Sequence, residues 1–332
     1  MVQLHFETRR TRKPVFQFTR ELIDTAAARA KAPPEAKLTL GYDLEDMDTL
    51  AGAAGLVTSS DIIRDARFPL ADLAKGLPNL RWIHIIGAGI ERLLPLDWLP
   101  RGVTLTNNSG VHMRKTGEFA AMALLMLNSR LPKMISNQHV SRWDSIFTPS
   151  IAGTTVTIVG LGDMGAAAAR EAKRMGMRVI GVRRSAKPHR FADEMVGVDQ
   201  LGQAVARADF IYVSAPLTAD TKNLVSRAIL AGAKPGAGLV NIGRAGVVDY
   251  AALRDALVSG ALSGAVLDVF DPEPLPADSL LWSTPNLVIM PHCSSDDRDQ
   301  YIPLTFDLAF ENLARLMAKR KLKNRVDPKR GY

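Results

Sequence analysis

The feature that most constrains this chain is a strand running directly into a glycine turn and a helix. In TVTIVGLGDMGAAAAREAKRMG, residues 155–176, a mostly β-branched run meets Gly160, Gly162 and Gly165, and an Ala-rich stretch follows. The spacing GxGxxG says little alone. Between a strand and a helix it reads as the phosphate-binding turn of a dinucleotide fold. Gly160 permits the tight turn, Gly162 lets backbone approach a pyrophosphate, and Gly165 allows close helix–strand packing. The helix N-terminus adds N–H groups and a partial positive charge for the phosphates. Asp163 and Met164 lie within the turn.

The rest of the chain repeats this grammar. Further apolar runs are RVIGV (178–182), DFIYVS (209–214), AGLVNI (237–242), GAVLDV and NLVIM (286–290), separated by helix-like segments. Buried parallel strands read as continuous apolar runs, so six strands in one doubly wound sheet are expected. The first 108 residues carry a weaker version: AKLTLGY, GLVTS, LRWIHII and VTLTN, with a first strand at either 2–6 or 14–18. KTGEFAAMALLMLNSRL (115–131) reads as one long helix. The last segment is helical in pattern, with a break or kink expected at Pro303. The fold class is therefore α/β, with two Rossmann-like domains built on doubly wound parallel sheets. Residues 1–108 plus 295–332 are expected to form a discontinuous substrate domain, and 109–294 the dinucleotide-binding domain.

Composition narrows the class. The chain has one cysteine, Cys293, which excludes an internal disulfide framework and fits a reducing, cytoplasmic compartment. No apolar run is long enough to cross a membrane, and the start lacks an apolar signal core. Of the net charge of +8, residues 315–330 supply eight Lys/Arg against one Asp. The remainder is nearly balanced and no aromatics interleave the basic residues, so the tail reads as a solvated helix end and no nucleic-acid partner is expected. No His/Cys/carboxylate cluster has metal-ligand spacing, so no metal is expected.

About twenty residues after the glycine turn, a dinucleotide fold usually places an acid that binds the ribose 2′-OH of NAD. Here the residues are Arg183 and Arg184, and no Asp or Glu lies between Glu171 and Asp193. A guanidinium pair at this position suits the 2′-phosphate of NADP. NADP(H) is the expected preference, with NAD(H) possible.

Three later strand ends carry chemistry. LVNIGRAGVVD (239–249) presents Arg244, GAVLDVFDPEPLP (264–276) presents Asp268 and Glu273, and NLVIMPHCSSDD (286–297) presents His292. Ligands of open α/β sheets bind beyond the carboxyl ends of the strands. Arginine binds a substrate carboxylate bidentately, histidine donates a proton to a developing alkoxide, and a carboxylate fixes the histidine tautomer and favours its charged form. That combination fits hydride transfer to a small 2-keto acid.

With VGLGDMG, NIGRAGVVD, LDVFDPEPLP and LWSTPNLVIMPH in this order, the chain resembles the D-isomer-specific 2-hydroxyacid dehydrogenases, a family that includes glyoxylate/hydroxypyruvate reductases and phosphoglycerate dehydrogenase. The resemblance implies an NAD(P)-dependent oxidoreductase giving D-2-hydroxy acids, with Arg244, Glu273 and His292 catalytic. It places Asp268, Ile242 and Gly243 at the nicotinamide, and Ala215, Pro216 and Ser295 among the cofactor contacts. It assigns Gly87, Ala88 and Gly89, with Arg244, to the substrate carboxylate, and a homodimer through about residues 110–150. A different NAD-dependent substrate, such as a phosphoglycerate-type acid, and a non-catalytic cofactor-sensing regulator are the alternatives. Formate chemistry is disfavoured because Glu273 stands where that branch carries an amide.

Overall fold

A computed structural model describes residues 2–328. The chain divides into two compact units, residues 1–112 with 297–332, and residues 113–296. Lys329 and Arg330 of the basic segment lie outside the described residues.

The discontinuous unit holds five parallel strands: β1 (Val2–Thr8), β2 (Ala36–Tyr42), β3 (Gly55–Thr58), β4 (Trp82–Ile85) and β5 (Thr104–Thr106), in the order β2-β1-β3-β4-β5. Of the two N-terminal possibilities, the first is the strand; Pro14–Phe16 is a 3₁₀ turn. β1 is paired on both edges, and elements packed on the sheet cover its faces. His5 and Glu7 are consequently buried, and His5 Nε2 pairs with Glu7 Oε2 at 2.8 Å. The helix Tyr301–Met317 packs over this sheet, with Phe306 edge-on to Phe6 and Phe310 tilted against it, at 4.8 and 6.0 Å between ring centroids. Pro303 neither breaks nor kinks it. As the third helical residue it sits where backbone N–H groups have no intrahelical acceptor, so no bond is lost.

The basic segment after this helix is not simply a solvated end. It turns back so that Arg325 bridges Thr106, Val326 N–H donates to Leu105 O, and Asn324 O accepts from Asn107 N–H. Lys323 and Arg315 both pair with Glu311. Asn312 also exchanges side-chain bonds with the Lys323 backbone. Backbone pairing captures these residues irrespective of their charge.

The second unit is a seven-stranded parallel sheet, one more strand than the apolar runs indicate. Its strands are β6 (Thr155–Val159), β7 (Arg178–Val182), β8 (Glu194–Val196), β9 (Phe210–Val213), β10 (Gly238–Asn241), β11 (Gly264–Leu267) and β12 (Leu287–Ile289), ordered β12-β11-β10-β9-β6-β7-β8. The additional strand, β8, is only three residues long, opens on Glu194 and lies at the sheet edge. Glu194 spends its carboxylate on Arg178 and Arg207, so no apolar run marks the strand. Central strands are buried on both faces: Val156 and Ile158 join one core with Phe119 and Leu124, while Val159 and Val213 join the other with Val205 and Leu253. The single helix expected over 115–131 is two helices, Met113–Asn128 and Leu131–His139. The chain breaks at Arg130, which takes φ 55°, and Pro132 then sits in the first turn of the second helix.

The first unit also contains a fully buried histidine with a stability signature. His84 on β4 bonds Thr106 Oγ1 at 2.9 Å and Asn108 Oδ1 at 3.3 Å. Burial pushes its pKa down from 6.5 to about 4, the bond to Asn108 opposing only partly. The neutral ring is thus favoured in the folded state. Its contribution to stability is complete above pH 6.5 and is lost as pH falls from 6.5 toward 4, where the unfolded chain binds the extra proton. The full loss is about 3 kcal/mol at 1.36 kcal/mol per unit. Urea unfolding at pH 7 and 4.5 should show a decrease that His84→Asn reduces. An equal decrease in the variant would show that His84 is not its source.

Candidate active site

The order of strands in the second sheet reverses between β6 and β9, which are parallel neighbours although β7 and β8 intervene in sequence. This is the switch point beyond whose strand ends doubly wound proteins bind ligands. The glycines of the first turn each meet a different demand. Gly160 takes φ 93°, and a Cβ there would lie 2.6 Å from the Ala215 backbone. A Cβ on Gly165 would lie 2.3 Å from Gly160 O. Gly162 is different: nothing of the protein lies within 4 Å of its Cβ position. It is the residue before the helix Asp163–Arg174, so the open space sits at that helix's N-terminus. The turn therefore offers backbone N–H groups and room, which fits a pyrophosphate. Asp163 is exposed and Met164 half-buried.

The loops after β9 and β10 close on the same turn. Ala215 is buried, Pro216 is exposed, and a Cβ on Gly243 would lie 2.5 Å from Ala215 O. Ile242 is buried beside it. Asn241, the last residue of β10, holds this bend: its Oδ1 accepts from Gly243 N–H at 3.0 Å, and its Nδ2 donates to Arg244 O and to the Tyr250 hydroxyl. The sequence reading passed over Asn241. A fully buried amide closing an apolar strand was its only signal. Arg244 follows in extended conformation, half-buried, with Nη1 donating to Gly243 O at 2.7 Å.

Beyond β7, Arg183 and Arg184 stand at the expected strand end. Arg183 donates through Nη2 to Lys187 O at 3.0 Å, whereas its Nε is buried with no hydrogen-bond partner among the described residues. Arg184 lies 3.7 Å from Asp220, both largely exposed. Lys187, His189 and Arg190 complete a basic loop. Partial burial, then Arg183 and Arg190, push the His189 imidazole below its usual range.

The adjacent ends of β11 and β12 bring a histidine and two carboxylates together. His292 Nδ1 lies 2.7 Å from Glu273 Oε2, and Glu273 Oε1 accepts from Phe270 N–H at 2.8 Å. With a carboxylate on Nδ1, that nitrogen carries hydrogen and Nε2 is the ring atom left for proton exchange. His292 itself takes φ 50°, an uncommon conformation for a residue other than glycine, of a kind that clusters at functional sites. Asp268 is buried behind this pair and accepts from Cys293 N–H, Ser294 N–H and Ser294 Oγ at 2.9, 3.1 and 2.6 Å. Burial pushes its carboxyl up, against those bonds and the nearby His292. Ser294 is buried and committed to Asp268, while Ser295, expected among the cofactor contacts, bonds Thr116 at 3.0 Å.

In the first unit, Gly87, Ala88 and Gly89 form a half-buried bend after β4. Among the described residues no group of three or more His, Cys, Asp or Glu could hold a metal, and no helix is long and apolar enough to cross a membrane.

The sequence model of the D-isomer specific 2-hydroxyacid dehydrogenase NAD binding domain matches residues 121–294. Glyoxylate/hydroxypyruvate reductase B of Pectobacterium atrosepticum is 30% identical over 290 residues, covering 85% of this chain and 88% of its own. Among solved structures, a D-isomer specific 2-hydroxyacid dehydrogenase from Xanthobacter autotrophicus Py2, in complex with NADPH and MES, superposes with a TM-score of 0.82 at 29% identity, over 100% of this chain and 99% of its own. An NADPH-dependent glyoxylate/hydroxypyruvate reductase from Sinorhizobium meliloti, in complex with NADP and sulfate, gives 0.80 at 26% identity over 100% of both chains. The glycine turn, the paired Glu273 and His292 and these matches together make the chain a member of the D-isomer-specific 2-hydroxyacid dehydrogenases, which are NAD(P)-dependent oxidoreductases.

Proposed function

We propose that this enzyme is an NADPH-preferring reductase of small 2-keto acids such as glyoxylate and hydroxypyruvate, forming the D-2-hydroxy acid. The observation that carries the cofactor preference is the pair Arg183–Arg184 at the end of β7, where an acid would be needed for the 2′-OH of NAD. The orphaned Nε of Arg183 and the basic loop through Arg190 support an anion there. NAD(H) lacks that phosphate and is the poorer partner.

The bound nicotinamide supplies a hydride to the keto carbon. The chain's residues do the rest. Gly160, Gly162, Asp163, Met164 and Gly165 form the pyrophosphate turn, and Ala215, Pro216, Ile242, Gly243, Asp268 and Ser295 surround the remainder of the cofactor. Arg244 and the N–H groups of Gly87, Ala88 and Gly89 bind the substrate carboxylate, and Arg244 polarises the carbonyl. His292, held by Glu273, gives its Nε2 proton to the carbonyl oxygen as negative charge develops. In the reverse direction the same nitrogen takes the proton back.

The Met-rich segment supports a homodimer: Met122, Leu125, Leu131, Met134, Trp143 and Phe147 are exposed apolar residues within 110–150. A cytoplasmic location accords with the single cysteine. A panel of 2-keto acids assayed with NADPH tests the substrate class. Glyoxylate or hydroxypyruvate should give the highest kcat/KM, and a bulky aromatic keto acid exceeding both would reject it.

A further inference from the structure

Three consecutive carbonyls of the bend after β4 are held from one side. The Tyr301 hydroxyl donates to Ile86 O at 2.7 Å, Asn108 N–H to Gly87 O at 3.1 Å, and Asn107 Nδ2 to Ala88 O at 2.7 Å. In a trans peptide the N–H points opposite to the carbonyl that precedes it. Holding the carbonyls of 86, 87 and 88 therefore turns the N–H groups of Gly87, Ala88 and Gly89 away from the support. None of those three N–H groups has a hydrogen-bond partner among the described residues. Unpaired donors aligned in this way form a concavity for an anion.

The support is itself held. Asn107 and Asn108 are buried, and Tyr301 is nearly so. Asn108 Nδ2 donates to Thr305 Oγ1 at 2.8 Å, and its Oδ1 accepts from His84 Nε2 at 3.3 Å. That acceptor requires hydrogen on Nε2, which the neutral, buried ring can carry while Nδ1 accepts from Thr106. Ser109 N–H donates to Asn107 Oδ1, and Asn324 Nδ2 donates to Asn107 O and Ser109 O at 3.3 and 2.6 Å. So the returning C-terminal segment and the helix starting at Tyr301 both serve the same short stretch.

We propose that Asn107, Asn108 and Tyr301 are positioning residues that aim the N–H groups of Gly87, Ala88 and Gly89 at the substrate carboxylate, with Asn324 fixing Asn107. This rests on the reading of that bend as the carboxylate site. Tyr301→Phe deletes one hydroxyl and keeps the ring; Asn107→Ala deletes the amide. Each removed bond is worth about 0.5–1.5 kcal/mol, so KM for the keto acid should rise roughly 3- to 10-fold in each variant. The dissociation constant of oxalate, a carboxylate probe titrated into the NADPH-loaded enzyme, should rise in parallel. KM for NADPH and kcat should stay within about twofold, a split that general loosening of the unit would not produce. Ala88→Pro removes one N–H directly and separates the two readings. If it leaves KM for the keto acid unchanged, the bend does not bind the carboxylate. If it raises KM while Tyr301→Phe and Asn107→Ala do not, or if those two change kcat and KM for NADPH equally, the positioning role is overturned.

Discussion

Replacing His292 by alanine lowers turnover of the keto acid by roughly 100-fold or more while NADPH still binds. General acid catalysis by a positioned side chain contributes about 10²- to 10⁴-fold, and that contribution goes with the imidazole. The geometry sets the expectation. Glu273 Oε2 at 2.7 Å holds Nδ1, and Phe270 N–H holds the other carboxylate oxygen, so the ring has one orientation and one free nitrogen. The variant removes the proton donor but leaves Gly160, Gly162, Gly165 and Arg183 in place. Fluorescence titration with NADPH should therefore give a dissociation constant close to that of the wild type. Glu273→Gln should fall less far, since an amide can still accept from Nδ1 and hold the ring but brings no negative charge. Turnover by His292→Ala within a few-fold of wild type would remove the histidine from the mechanism.

The second large effect concerns the cofactor. Arg183→Ala combined with Arg184→Ala should raise KM for NADPH by about 10- to 100-fold and change KM for NADH little. Charge-assisted bonds to a phosphate are worth about 1.5–3 kcal/mol, and only NADP carries the 2′-phosphate that would receive them. Part of that worth is screened, because Arg184 is more than half exposed. Arg183, with its Nε buried and unpartnered, should account for the larger share of the change. The single variants separate the two contributions. An equal rise in KM for both cofactors would mean that the pair shapes the loop rather than reads the phosphate.

How much of this was legible in the sequence follows from what each element requires. Central parallel strands need apolar residues on both faces, and so β6, β7, β9, β10 and β11 announce themselves; β12, at one edge, is still marked by the apolar run NLVIM. The edge strand β8 needs only a few backbone bonds and one covered face, so its residues look like loop. His5 shares with Gln3 and Glu7 the polar face of an alternating run, a pattern that suggests a solvated face, yet β1 is internal to its sheet and His5 is buried with Glu7. Pro303 is a helix breaker only where an N–H is required, and helix position cannot be fixed to one residue from pattern alone. Arg244, Asp268, Glu273 and His292 all follow strands whose ends must lie side by side, so their convergence is a consequence of topology. Among the supporting residues, Asn241 bonds locally to Gly243, Arg244 and Tyr250, whereas Ser294 holds Asp268, and Asn107 and Asn108 hold the bend after β4, through bonds between segments distant in sequence that no local spacing marks.

The central claim is tested most directly by initial rates of the purified enzyme with saturating glyoxylate or hydroxypyruvate, varying NADPH and NADH separately. The account predicts oxidation of both cofactors, with kcat/KM for NADPH at least about tenfold higher, as one lost charge-assisted bond implies. Equal or better efficiency with NADH, or no turnover of either keto acid, would contradict it.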